Sequence, residues 1–296
     1  MSAPETIASV LIEALPYIRK FAGKIVVVKL GGSIMKDESL IARFAEDMAL
    51  LRSVGVKPVV VHGGGPQIGE LSAKLGKEPV FKGGMRVTDA ETLDIVRMVL
   101  VGKVNRDIVA AINMHGPIAV GMSGEDGGLI EAVERNPDLG YVGDVTKINT
   151  SILDRLITEN IIPVVATIGV STEGQAYNIN ADLAAGAIAA SLGAEKFIAL
   201  TDVPGLLEDK DDESTLVRRI SYEDLKKQYD ANTFDGGMAP KVESCLVAVE
   251  GGVPRAHMLD GRRPRVVILE LLTRLGVGTM VYSPAQPPVP PGAPIP

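Results

Sequence analysis

Apolar residues along the chain follow two alternating rhythms. Short β-branched runs at 25–30, 57–62, 161–168 and 196–201 read as buried strands, and stretches with apolar positions three and four apart read as helices between them. The first helical stretch, 4–21, sets Ile7, Val10, Leu11, Leu15 and Ile18 at helical spacing, and Pro16 inside it is expected to kink or split the helix. This helix stands before the first strand, so its stripe packs either on its own domain or on the same helix of another subunit. Residues 39–53 carry Leu40, Ile41, Phe44, Met48 and Leu51 on one face. A hairpin is expected at 78–88, with Gly83-Gly84 at its tip and Arg86 on the returning arm. Thr88 and Glu91 then form a T-x-x-E capping box for a long helix striped by Leu93, Val96, Leu100 and Val104. Further strands are expected at 117–120, 129–133, 141–148, 255–259 and 278–282, with helices at 152–159, 183–192, 221–228 and 266–275. From 283 onward the chain is Pro-rich and reads as a disordered or polyproline-like tail.

Strands alternating with helices predict an α/β protein whose parallel sheet is covered by helices. At 296 residues the chain accommodates two lobes or one large α/β unit. Its hydrophobic fraction is 46% with only 4% aromatic and no Trp, a core of Val, Ile, Leu and Ala that suits such a sheet.

The first two strands end alike. Val27-Val28-Lys29-Leu30 runs into Gly31-Gly32-Ser33, and Val60-Val61-His62 runs into Gly63-Gly64-Gly65-Pro66. One such turn could be no more than a tight strand-to-helix connection. Two of them, separated by one helix in a right-handed βαβ unit, lie at the same carboxyl edge of a parallel sheet, where ligands of open α/β sheets bind. Lys29 and bare backbone N–H groups at that point suit an anion, with phosphate the obvious candidate. Neither turn gives G-x-G-x-x-G, and there is no G-x-x-x-x-G-K-[ST], so dinucleotide and P-loop geometries are set aside.

Three polar residues, Asn178, Asn180 and Asp182, alternate in an apolar setting before the alanine-rich helix at 183–192. One of them could be an ordinary helix cap, yet alternation in an extended segment aims all three at one side. Gly236-Gly237-Met238-Ala239-Pro240-Lys241 opens another helix and brings a second lysine to an N–H-rich corner. Arg86 is either a solvated hairpin charge or a bidentate carboxylate clamp beside the glycine turns.

A formal net charge of -7 argues against broad nucleic-acid binding. The single cysteine, Cys245, excludes an internal disulfide, and His62, His115 and His257 are too scattered for a metal cluster. No apolar run approaches the ~18 residues of a membrane span and no signal peptide is evident, so a cytoplasmic protein is expected.

Taken together, the Lys29-Leu30-Gly31-Gly32, His62-Gly63-Gly64-Gly65, Gly84-Met85-Arg86-Val87-Thr88, Asn178-Ile179-Asn180-Ala181-Asp182 and Gly236-to-Lys241 motifs strongly resemble the amino-acid kinase family. They are most similar to its members that phosphorylate N-acetyl-L-glutamate. The resemblance runs from Val26 to about Val281 with the motifs in family order. It implies a three-layer αβα sandwich with a central, mainly parallel open sheet. It further implies an oligomerisation helix at 1–22, an amino-acid-binding lobe at 23–180, an ATP-binding lobe at 181–283, and a tail at 284–296 with no clear counterpart. By resemblance Lys29 and Lys241 stabilise the transferring phosphoryl group and Asp182 holds both lysines. Gly64, Gly65, Arg86, Asn178 and Asn180 would bind the substrate. Gly31, Gly32, Thr201, Asp202 and Lys241 would hold ATP, with Mg2+ bridging its phosphates through water and no protein ligand to the metal.

The arginine-inhibited subgroup carries a similar N-terminal helix that joins dimers into a hexamer. Tyr17, His257, Glu270 and Gly276 fall where its L-arginine site would lie, so feedback inhibition by arginine is expected. The rivals are another phosphotransferase of this fold, acting on carbamate, aspartate, glutamate or UMP, and a non-catalytic arginine sensor.

Overall fold

The computed structural model describes residues 3–283, apart from Ser33, Asp235, Arg274 and Leu275, together with Ala285. In chain order the first elements are α1 (Ala3–Phe21), β1 (Ile25–Leu30), α2 (Glu38–Ser53), β2 (Lys57–His62) and α3 (Gly65–Lys74). The β3–β4 hairpin (Phe81–Lys82, Met85–Arg86) follows. Next come α4 (Ala90–Arg97), α5 (Asn105–Asn113), β5 (Ala119–Ser123), β6 (Ile130–Glu134), β7 (Val142–Ile148), α6 (Ser151–Thr158), β8 (Ile162–Ala166), β9 (Ile168–Val170) and β10 (Ala176–Ile179). The chain continues through α7 (Ala181–Ser191), β11 (Lys196–Thr201), β12 (Arg219–Ser221), α8 (Tyr222–Asp230), α9 (Met238–Glu250), β13 (Arg255–Asp260), α10 (Val266–Leu272) and β14 (Thr279–Tyr282).

Eight strands form the main sheet in the order β12-β14-β13-β11-β1-β2-β8-β5. It is parallel from β13 to β5, and β14 with its parallel neighbour β12 runs the other way at one edge. Strand β1 sits near the middle, paired with β2 on one side and β11 on the other, and is buried on both faces. That is why it reads as one continuous apolar run. Period-two alternation sends Val26, Val28 and Leu30 into the layer of α1, α2, α4, α5 and α10, and Val27 into the layer of α6, α7 and α9. Residue 29 shares the parity of Val27, so Lys29 is delivered to the α7 side. The three-layer αβα sandwich expected from the family resemblance is the observed architecture.

A second, closed sheet of β10, β7, β6 and β9 stands beside the main one. The strands at 129–133 and 141–148 belong to it; nothing local in them specifies this separate partner set. The expected strand at 117–120 begins and ends later, at Ala119–Ser123.

Several local expectations need correction. Pro16 does not split α1, which is one helix through Phe21. Its fixed φ is helical, and the missing N–H frees the carbonyl of Ile12, a residue on the exposed side of the helix at 70% exposure. Thr88 does not cap the following helix. Asp89 does, accepting from Thr92 N at 2.8 Å, while Lys77 bridges Asp89 and Glu91. Thr88 is fully buried and turned toward the site described below. The long helix that follows is not uniformly α: Met98–Val104 is a π-helical stretch between α4 and α5. Helix α10 ends at Leu272, and the rest of the expected 266–275 helix, like the tail beyond Ser283 apart from Ala285, lies outside the described residues. Among the described residues no helix is long and apolar enough to cross a membrane.

Candidate active site

The carboxyl ends of β1, β2 and β11 open onto one cavity of ≈ 390 Å³. Every catalytic, substrate and nucleotide residue expected from the sequence lines it, from Lys29, Gly31 and Gly32 through Gly64, Gly65 and Arg86 to Asn178, Asn180, Asp182, Thr201, Asp202 and Lys241. The amino termini of α3, α7 and α9 converge on it. The first N–H groups of a helix have no intrahelical acceptor, so the three ends add partial positive charge to the two lysines.

Lys29 Nζ lies 2.8 Å from Asp182 Oδ1, with side-chain exposures of 8% and 11%. The contact is ionic but off hydrogen-bonding angle, since Asp182 Oδ1 is buried without an aligned donor. Lys241 reaches the same cavity, but its Nζ donates to its own Gly237 carbonyl at 2.7 Å. Asp182 therefore pairs here with Lys29, not with both lysines. Asn180 is the cap of α7, its Oδ1 accepting from Asp182 N at 2.8 Å and Leu183 N at 3.3 Å. The Asn178-Asn180-Asp182 alternation thus bends from strand into helix, yet all three still border the cavity.

The two glycine turns interlock. A Cβ on Gly32 would stand 2.6 Å from Pro66 Cδ, and one on Gly64 would stand 2.7 Å from Leu100 Cδ2 in the π-helical stretch. A side chain at Gly32 would drive the two turns apart and one at Gly64 would press on the π-helical stretch, which is the physical reason for glycine.

Arg86 is half-buried; its Nη2 donates to the Gly65 carbonyl at 2.9 Å and its guanidinium lies 4.9 Å from the Phe81 ring centroid. Its Nη1 is buried with no acceptor, and burial lowers its pKa. An arginine that lines the cavity and keeps one guanidinium nitrogen without an acceptor suits a carboxylate ligand. Thr88 Oγ1 donates to the Arg86 carbonyl at 2.9 Å and accepts from Asn178 Nδ2 at 3.2 Å, tying the hairpin to β10.

Of the residues expected at a second site, His257, Glu270 and Gly276 come together away from this cavity. Glu270 Oε1 lies 3.0 Å from His257 Nδ1 and 3.5 Å from Lys196 Nζ, and Glu270 Oε2 accepts from Val277 N at 3.2 Å. A Cβ on Gly276 would be 3.8 Å from Glu270 Oε2. Tyr17 is buried on α1, which packs against α10. Burial alone would raise the pKa of Glu270, but His257, Lys196 and the Val277 N–H overcome it and hold the carboxyl well below its usual range. Burial lowers both His257 and Lys196. Tyr17 Oη, Arg255 Nε and His257 Nε2 are buried without partners.

Some residues at the cavity are not evident from local pattern. Arg135 and Thr167 line it, Arg135 held by Asp144 at 2.6 Å. Behind it, Asn105 is fully buried against His62. Its only sequence signal is an amide inside the apolar stripe of a helix.

A cavity of this size lined by helix N-termini, two lysines and an arginine suits a phosphorylated or otherwise anionic small molecule, as in phosphotransferases of the α/β class. Residues 24–260 match the amino acid kinase family, and the chain belongs to that family. It is 54% identical to an acetylglutamate kinase of Corynebacterium glutamicum, over 94% of this chain and 89% of that one. Identity to an acetylglutamate kinase of Pelotomaculum thermopropionicum is 48%, over 95% of this chain and 99% of that one. Among solved structures, N-acetylglutamate synthase from Neisseria gonorrhoeae is similar in complexes with coenzyme A. With N-acetyl-glutamate the TM-score is 0.81 at 27% identity, over 93% of this chain and 63% of that one. With L-arginine it is 0.76 at 26%, over 93% and 65%. The chain spans less than two thirds of the synthase's length.

Proposed function

We propose that the protein transfers the γ-phosphoryl group of ATP to the γ-carboxylate of N-acetyl-L-glutamate, giving ADP and the acyl phosphate, a step of arginine biosynthesis. The observation that carries this reading is the one cavity lined by the buried Lys29–Asp182 pair, by Lys241 and by Arg86, whose Nη1 has no acceptor. Curated acetylglutamate kinases of near-equal length, about half identical, supply the substrate.

Phosphoryl transfer asks the protein to position two anions and neutralise spreading charge. Lys29 and Lys241 stand at the reacting oxygens, and the N–H groups of Gly32 and Gly65 complete the cradle. Asp182 keeps Lys29 aimed; on nucleotide binding Lys241 exchanges the Gly237 carbonyl for phosphate. Arg86 takes the α-carboxylate, with Gly64 and Asn178 at the acetamido group and Asn180 capping α7 beside it. Thr201, Asp202 and Lys241 hold ATP from the other lobe, residues 181–283, and Gly31 and Gly32 meet it from the first lobe. Asp182 is engaged by Lys29, so the reading gives the metal to the nucleotide phosphates. Mg2+ bound there would offset phosphate charge. The reading places the protein in the cytoplasm, where a free buried Cys245 and ATP are at home.

The Glu270 cluster is read as an L-arginine site, its carboxylate for the guanidinium and its surrounding Lys196 and Arg255 for the ligand carboxylate. Tyr17 would link this site to α1. The exposed Val10, Leu11 and Ile12 on that helix support its pairing with another subunit, in a hexamer built as a trimer of dimers. A coupled ADP-release assay with ATP tests the function, offering N-acetylglutamate beside glutamate, aspartate, carbamate and UMP. Turnover is expected with N-acetylglutamate alone, and rates that favour another acceptor overturn the assignment. Arginine bound without any turnover would favour a sensor.

A further inference from the structure

Behind the second glycine turn lies a buried polar network that the mechanism above leaves unused. His62 and Asn105 are both fully buried. His62 Nδ1 is 2.9 Å from the carbonyl of Gly63, and His62 Nε2 is 3.0 Å from Asn105 Nδ2. Asn105 Nδ2 also donates to the Val164 carbonyl at 2.9 Å, and Arg106 Nη2 donates to Asn105 Oδ1.

These contacts fix the imidazole's protonation. A backbone carbonyl can only accept, so the group facing Val164 must be the Asn105 amide nitrogen. That same NH2 faces His62 Nε2, which is then the acceptor, leaving the proton on Nδ1, where it donates to the Gly63 carbonyl. Burial opposes the charged ring and pushes its pKa down to about 4. A protonated ring would moreover set Nε2–H against the Asn105 NH2.

The Gly63 carbonyl belongs to the peptide whose N–H is that of Gly64. Pinning its oxygen toward the imidazole sets the orientation of that N–H and of the next, at Gly65, the first residue of α3. The turn is held from its other side by the π-helical stretch, where Leu100 and Val104 would both crowd a Cβ on Gly64. The π-helical stretch ends at Val104, directly before Asn105, so the same irregularity seats both the apolar wall and the amide. Such irregular turns recur at functional sites.

We propose that His62 and Asn105 are positioning residues: through the Nδ1–H tautomer they hold the Gly63–Gly65 turn so that its backbone donors meet the transferring phosphoryl group. This rests on the phosphotransferase reading for its kinetic consequence but not for the tautomer itself. The first test uses the wild-type protein: 15N spectra of its three histidines, assigned with His62→Asn, are expected to give His62 as the neutral Nδ1–H form at pH 7. An Nε2–H or charged ring overturns the proposal, whatever the activity.

The second test compares His62→Leu with His62→Asn, whose amide nitrogen takes the Nδ1 position. His62→Leu is expected to lower kcat about 10–100-fold with KM for both substrates within about threefold, in the range seen for outer-shell partners. His62→Asn is expected to recover most of that loss at a similar Tm. Equal kcat in both variants, or losses that follow Tm, would make the network merely structural and refute the proposal. Wild-type protein that turns over no acceptor would instead refute the phosphotransferase reading and leave the tautomer result standing.

Discussion

Replacing Asp182 by Asn removes one charge from a pair whose members are almost out of solvent. At the 2.8 Å separation of Lys29 Nζ and Asp182 Oδ1, the gross attraction is about 6 kcal/mol at an effective dielectric of ~20. Much of it is offset by desolvation, but Asp182→Asn leaves the ammonium of Lys29 buried without its counter-charge. Breaking a buried pair from one side typically costs about 3–5 kcal/mol, and that is the expected loss for the free protein. Removing both charges, in Lys29→Met with Asp182→Asn, is expected to restore most of it, because no uncompensated charge remains. Urea unfolding followed by circular dichroism and Tyr fluorescence, which a chain without Trp makes clean, measures all three proteins. ATP with Mg2+ supplies the missing negative charge, so saturating nucleotide should stabilise Asp182→Asn more than wild type. An Asp182→Asn protein as stable as wild type would refute the reasoning, as would a double variant less stable than Asp182→Asn.

Lys29→Ala and Lys241→Ala are each expected to lower kcat by about 10²–10³-fold, the loss typical of a donor that acts on transition-state charge. Steady-state kinetics check this, and a wild-type kcat removes that lysine from the mechanism. Arginine is expected to inhibit the full chain, and both deletion of residues 1–21 and Glu270→Gln should weaken inhibition while leaving turnover without arginine unchanged; rates flat to millimolar arginine in the wild type exclude the site. Stability should also carry a signature of His62. Its folded pKa of about 4 is below the ordinary 6.5, so between those values the unfolded chain binds the extra proton. The contribution is harmless above pH 6.5 and destabilises progressively as pH falls to 4, by about 3 kcal/mol at ~1.4 kcal/mol per unit. His62→Asn should flatten that limb of a Tm-against-pH curve relative to wild type, and identical curves would contradict the assignment.

What could be read from the sequence was what neighbours along the chain dictate. A β-branched run buried on both faces, a glycine pair after it, and apolar spacing of three and four specify strand, turn and helix by local sterics and periodicity. Two glycine turns after successive parallel strands even specify that they share an edge. Local chemistry failed where a side chain had a better partner far away. Thr88 looks like a helix cap, yet its hydroxyl serves Arg86 and Asn178, and Asp89 caps in its place. Asn180 is one of three alternating polar residues, and only the bend into α7 shows that it is the cap. The π-helical register at Met98–Val104 carries no sequence mark; it arises where the helix wall meets Gly64 and Asn105 meets His62.

Long-range pairings leave no mark in the local pattern of the chain. Lys29 meets Asp182 because α7 packs on β1, and Lys196 and His257 meet Glu270 because β11 and β13 are neighbours in the sheet and α10 brings Glu270 to them. The sequence by itself determined which elements form and which residue types arrive at strand ends. The tertiary structure alone decided which charges face one another. A buried charge takes its worth from the group across the gap, and no local pattern records that distance.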